Sequence, residues 1–143
     1  MSSISHKELV EHSFELLIKC TMQAKHRLIE LGSNIGLTGM QVTMILLLEE
    51  PRQMNSFTKV FNCDASNVTG IVDGLEQKKL AARFPDENDR RIKMIKLSPK
   101  GKQLRRQILE RLVDSQGSVL FKLTRAELED LVTILTKITV SHD

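Results

Sequence analysis

Apolar residues recur at three- and four-residue spacing along the first thirty positions, through Val10, Phe14, Leu17, Thr21, Ala24, Leu28 and Leu31. Leu9, Ser13, Leu16 and Cys20 form a second stripe beside them. One face of a 3.6-residue repeat has that spacing, so the pattern predicts a long helix, apolar over a wide arc. Ser5-His6-Lys7-Glu8 marks its start as a capping box, the hydroxyl accepting from the third helical amide while the glutamate reaches back. Gly32-Ser33-Asn34-Ile35-Gly36 is expected to end it. A helix of about 25 residues opening so small a chain offers more apolar face than its own domain covers.

Thr38-Gly39-Met40-Gln41 is a second capping box, opening a short helix through Val42, Ile45, Leu46 and Leu48 that stops before Pro51. Asn55-Ser56 is expected to start a third helix, Phe57 to Phe61, and Asn62-Cys63-Asp64 to turn into a fourth, Ala65 to Leu80, with Val68, Ile71, Val72 and Leu75 inward. Two short helices about a tight turn make a helix-turn-helix. Next come a short strand, the charged tip Arg83-Phe84-Pro85-Asp86-Glu87-Asn88-Asp89-Arg90-Arg91, and a return strand, Ile92 to Leu97, with Ile95 and Leu97 on one face and Lys96 opposite. Ser98 caps a fifth helix, with Pro99 where a missing amide costs nothing; it runs through Leu104, Ile108 and Leu112 to Gly117. Thr124-Arg125-Ala126-Glu127 is a further capping box, opening a last helix with Leu128, Leu131, Val132, Leu135 and Ile138 apolar. The expected fold is mainly α with a small β-hairpin, in one domain over residues 1–143.

Composition adds bounds. A hydrophobic content of 41% and a charged content of 27% are ordinary for a globular domain. The longest apolar run, Met44 to Leu48, falls far short of the ~20 residues that span a bilayer. The first residues have no apolar stretch of the secretory kind, and two cysteines make no disulfide framework, so a cytoplasmic location is expected. Charge is uneven: Lys78 to Arg106 holds eleven Lys/Arg against three acids, and the rest of the chain ten against fifteen. Such a basic segment fits polyanion binding, a solvated salt-bridged surface being the alternative.

Off the apolar stripe of the fourth helix lie Ser66, Asn67, Thr69, Gly70 and Asp73, short groups that let a helix approach base edges in a major groove. Its first amides are placed to favour phosphate, the alternative being a solvated face capped by Ser66. Gly70 and Gly74 each cost ~1 kcal/mol inside a helix and need a reason. His6, His12, His26 and His142 belong to no nucleophile motif, and neither a glycine-rich phosphate loop nor zinc-ligand spacing occurs. Catalysis, a cofactor and a metal are not expected.

The order helix-turn-helix, polar outward helix and arginine-tipped hairpin resembles the multiple-antibiotic-resistance regulator (MarR) family of dimeric winged-helix transcription factors. Asp86-x-x-Asp89-Arg90-Arg91 and Leu97-Ser98-Pro99-Lys100-Gly101 carry the resemblance, which extends over almost the whole chain. It implies a winged helix-turn-helix at 38–97, with the recognition helix at about 65–80 and the wing at about 82–97, flanked by dimerisation helices at 5–31 and 98–143. The function implied is that of a homodimeric, sequence-specific regulator of double-stranded DNA, a ligand-responsive repressor on a pseudo-palindromic operator. The recognition helix would enter the major groove and the wing the minor groove. By the same resemblance Arg90 would enter the minor groove, and Arg91 would be held by carboxylates, with Asp89 and Asp73 as the candidates. Asp86 and Asp89 stabilise the wing, while Arg83, Lys93 and Lys96 contact phosphates. Leu9, Val10, Leu16, Leu17, Leu128, Leu131 and Leu135 fall in the implied dimer interface.

A small aromatic or lipophilic effector would lie among the first, second and fifth helices, with Phe14, Phe57 and Phe61 as nearby aromatics. Lys79 departs from the family, whose members commonly end the recognition helix with glycine there. Two further readings stand beside this one: a redox- or metal-responsive regulator of the same fold, and a winged helix serving protein interaction. Some relatives sense peroxide through a first-helix cysteine, but tyrosines orient that thiolate and this chain has none, so Cys20 reads as core. Cys63, beside Asp64, reads as exposed and inert.

Overall fold

The computed structural model describes residues 4–114 and 118–139; the expected continuation of the fifth helix over 115–117, the end of the last helix at Val140, and His142 lie outside them. Helices begin where their caps stand. Helix α1 (His6–Asn34) opens with Ser5 Oγ accepting from Glu8 N at 3.2 Å while Glu8 Oε2 accepts from Ser5 N at 2.7 Å. Helix α2 (Gly39–Leu47) repeats the device with Thr38 and Gln41 at 3.1 and 3.0 Å. Helix α1 ends within Gly32–Gly36 as expected, at Asn34 rather than at Gly32 itself. The helix runs through it, and Leu37 N returns to bond Gly32 O at 2.8 Å. A Cβ at position 32 would lie 2.5 Å from the Leu37 carbonyl oxygen, so glycine is there to let the chain double back.

A two-residue strand β1 (Arg52–Gln53), absent from the sequence-based expectation, precedes helix α3 (Ser56–Val60). Asn55 does not cap α3. Its own backbone is already helical (φ −65°, ψ −22°), whereas a capping side chain requires a non-helical residue. Helix α4 (Ala65–Gln77) follows the turn at Asn62, and strands β2 (Ala81–Pro85) and β3 (Lys93–Leu97) form the hairpin. The sheet is antiparallel in the order β1-β3-β2, with Arg83 opposite Ile95 and Arg52 also opposite Ile95 on the other side. Val42, Met44, Ile45, Leu48, Phe57, Val68, Val72, Leu75, Leu80, Ile95 and Leu97 are buried, so the core belongs to the helix-turn-helix and its sheet.

Helix α4 stops three residues short of Leu80. Lys79 adopts φ +59°, its amide bonding Glu76 O at 2.8 Å while Leu80 N bonds Leu75 O at 2.9 Å. This is the Schellman closure that glycine usually provides. Ser98 caps helix α5 (Pro99–Leu112), Gly101 N donating to its Oγ at 3.0 Å and the hydroxyl donating to Lys79 O at 2.7 Å. The helix ends at Leu112, short of Gly117.

The chain divides into two compact units, one ending at Arg105 and the other beginning at Arg106. The first holds α1 to β3 and the start of α5. In the second, the rest of α5 is followed by a 3-10 turn (Val119–Lys122) and helix α6 (Arg125–Thr139), opened by the Thr124–Glu127 capping box. Among the described residues, α1 and α6 each carry exposed apolar side chains. Every residue from Ile4 to His26 is exposed, including Leu9, Val10, Leu16 and Leu17, with Phe14 at 66%. On α6, Leu128 and Leu131 are half-buried and Leu135 and Val132 exposed. Cys20 is therefore exposed rather than core, and Cys63 is half-buried rather than exposed. No helix among the described residues is long and apolar enough to cross a membrane, and no group of three or more metal-ligating side chains occurs among them.

Candidate nucleic-acid interface

The start of α4 presents small groups outward. Ala65, Ser66, Asn67, Thr69 and Gly70 are exposed, and Val68 alone among these first residues is buried. Asp64, not Ser66, caps the helix, its Oδ1 accepting from Asn67 N and Ser66 Oγ, both at 2.8 Å. Those bonds, the Asn67 amide foremost, hold the Asp64 carboxyl below its usual range. The amide expected to favour phosphate is thus already bonded to an anion.

The two glycines of α4 have different reasons. A Cβ at position 74 would lie 2.2 Å from Gln41 Nε2, so Gly74 lets the α2 cap lie across the recognition helix. Nothing lies within 4 Å of a Cβ at position 70. Inside the free protein Gly70 has no packing role; it leaves a bare patch of helix backbone on the outer face.

The hairpin is fastened to α4 by Arg83. Its Nη2 reaches Asp73 Oδ1 and Glu76 Oε2, each at 2.5 Å, and its backbone amide donates to Glu76 Oε1 at 2.9 Å. The guanidinium holds the Glu76 carboxyl below its ordinary range, and the two carboxylates raise the Arg83 pKa in return. This corrects two expectations. Arg83 points back at the helix instead of outward to phosphate, and Asp73 pairs with Arg83, not with Arg91 or an incoming base. Nothing in the sequence marks Glu76: it lies one helical turn beyond Asp73, and only the strand's return shows that both reach one arginine.

At the wing tip, Asp86 Oδ2 accepts from Asn88 N and Asp89 N at 3.0 and 3.1 Å, and Asp89 Oδ1 accepts from Arg91 N at 3.0 Å. Asp89 thus holds the backbone of Arg91, not its guanidinium. With the turn tied internally, Arg90, Arg91 and Lys93 remain exposed. Lys96 lies over the Phe84 ring, its Nζ 4.9 Å from the centroid. A cleft of ≈ 420 Å³ runs between wing root and helices, lined by Met54, Thr58, Val68 and Thr69 on one side and by Arg91, Ile92 and Lys93 on the other. It lies away from the α1, α2 and α5 surfaces where an effector was expected. Arg105 of α5 caps the end of α2, Nε donating to Leu46 O at 3.1 Å with Nη2 3.6 Å from Glu49 Oε2.

A sequence model of the MarR family matches residues 44–93, from the core of α2 through the wing. That stretch of the chain carries the MarR-family sequence pattern. YpoP of Bacillus subtilis, an uncharacterised HTH-type transcriptional regulator, is 25% identical over 128 residues, covering 86% of this chain and 88% of that one. The regulator BldR from Sulfolobus solfataricus superposes with a TM-score of 0.72 at 26% identity, covering 94% of this chain and 99% of that one. MepR from S. aureus, solved as a complex with DNA, shares the fold at a TM-score of 0.64 and 20% identity, covering 97% and 99% of the two chains. MarR-family proteins are transcription regulators, not enzymes.

Proposed function

We propose that this chain is a MarR-family, homodimeric, sequence-specific double-stranded DNA-binding repressor of the cytoplasm. The observation that carries the reading is the fastening of an exposed, small-residue helix face to an arginine-tipped wing by Arg83. Ser66, Asn67, Thr69 and Gly70 approach base edges in a major groove, and Arg90 enters the neighbouring minor groove. Arg91 and Lys93 contact phosphates, which position without specifying. The DNA-bound relative of the same fold supports this arrangement. Asp73 and Arg83 act as the fastening between the two reading elements.

A second copy covers the exposed apolar faces of α1 and α6, placing two recognition helices about one turn of DNA, ~34 Å, apart on a pseudo-palindrome. A small aromatic or lipophilic effector releases the DNA. One carrying an anionic group fits the cleft at the wing root, where it would compete with phosphates for Arg91 and Lys93. The bond from Arg105 to the end of α2 supports a second route, in which a shift of α5 is passed to the helix-turn-helix. Gel-shift of promoter duplexes in rising salt tests the reading. Repressor binding weakens steeply as counterions compete; the absence of any salt-sensitive complex favours a protein-interaction module.

A further inference from the structure

We infer that Asn67 is the residue through which α4 selects bases, and that the base it selects is adenine. The inference rests on the DNA-binding reading above and deepens it. Helix α4 holds no lysine or arginine anywhere in Ala65–Gln77, so the bidentate contact to guanine O6 and N7 that those residues make is unavailable to it. Its other polar side chains are engaged within the protein. The Ser66 hydroxyl donates to Asp64 Oδ1 at 2.8 Å, and Thr69 Oγ1 donates to Ala65 O at 2.9 Å. Asp73 and Glu76 hold Arg83. Gln77 lies at the far end of the helix, about 15 Å along its axis from Asn67.

Asn67 differs. Its backbone amide bonds Asp64, while its side-chain amide has no partner among the described residues and is exposed. That group carries one acceptor and a donor in a plane, the complement of adenine N6 and N7 in the major groove. Gly70, three residues on and on the same side of the helix, leaves the backbone beside Asn67 clear, so the short asparagine can reach a base edge.

The test is selection of bound duplexes from a random library by the full-length wild-type protein, followed by affinity measurement on the enriched site. One adenine per half-site is expected whose replacement by 7-deazaadenine weakens binding roughly 5- to 150-fold. Asn67→Ala should lose that discrimination while keeping its helical circular dichroism and its salt dependence on mixed-sequence DNA. Asn67→Arg should move the preference at that position toward guanine. If Asn67→Ala keeps the adenine preference, or the enriched site is indifferent to 7-deazaadenine, the assignment of Asn67 is wrong although DNA binding stands. If the wild type enriches no sequence and binds no duplex, the DNA-binding reading fails and this assignment with it.

Discussion

Arg83 meets Glu76 twice, its backbone amide on Oε1 at 2.9 Å and its guanidinium on Oε2 at 2.5 Å. A strand residue held by both main chain and side chain has little freedom to swing, so the wing's first strand is set at a fixed attitude to α4. Asp73 takes the same guanidinium nitrogen, and the two carboxylates, one helical turn apart, share one cation. Arg83→Ala removes that cation and leaves two like charges together. Stability should fall by about 1–2 kcal/mol, the partial exposure of the pair moderating the loss. Chemical denaturation measures it. An unchanged midpoint would mean that the clamp adds nothing to the fold.

The same contact gives a pH dependence. Because the Arg83 hydrogen bond lowers the Glu76 carboxyl from its ordinary 4.5, the folded protein binds that proton less readily than the unfolded chain. Glu76 therefore contributes its full stabilisation above about pH 4.5 and loses it as pH falls through the lowered value. Denaturation midpoints followed into the acid range should drop less for Glu76→Gln than for the wild type. Parallel acid limbs would show that other carboxylates govern the loss.

The two glycines of α4 should respond differently to alanine. Gly70→Ala meets open space and should stabilise the free protein by about 1 kcal/mol while weakening duplex binding. Gly74→Ala gains the same helix propensity but displaces Gln41 from the Thr38 cap, so it should stabilise less. Thermal melts of the free proteins compare them. A Gly70→Ala protein that is more stable and binds DNA as well as the wild type would remove the bare backbone from the reading surface.

Lys79 holds a left-handed conformation at φ +59°, which costs a non-glycine residue roughly 1–2 kcal/mol. Glycine gives back part of that through its own chain entropy, so Lys79→Gly should stabilise by about 0.5–1 kcal/mol. The bond from Ser98 Oγ to the carbonyl of residue 79 survives the change. A loss of stability would show that the lysine side chain matters more than its backbone.

Much of this architecture is legible in the chain because it is local. The capping boxes at Ser5, Thr38 and Thr124 are written three residues apart, whereas the stop at Lys79 is not written in the helical repeat, which runs on to Leu80. Strand β1 is not legible: two residues carry no period, and Arg52–Gln53 becomes a strand only by pairing with Met94 and Ile95 some forty residues on. The site divides in the same way. Which α4 residues face outward follows from the helical repeat, but that Arg83 turns inward depends on where β2 places it. The apolar repeat of α1 is equally plain, yet a repeat does not say what covers it.

The central claim is that two copies read one duplex with helix and wing together, and hydroxyl-radical footprinting on a selected operator tests it most directly. The wild type should protect two minor-groove patches related by two-fold symmetry, flanking recognition-helix contacts about one turn, ~34 Å, apart. Arg90→Ala should erase the outer protections and weaken binding by about 1–3 kcal/mol, whereas Lys93→Ala should keep the pattern and lower the salt slope by roughly one. A single unsymmetrical footprint, or one that Arg90→Ala leaves intact, would contradict the account.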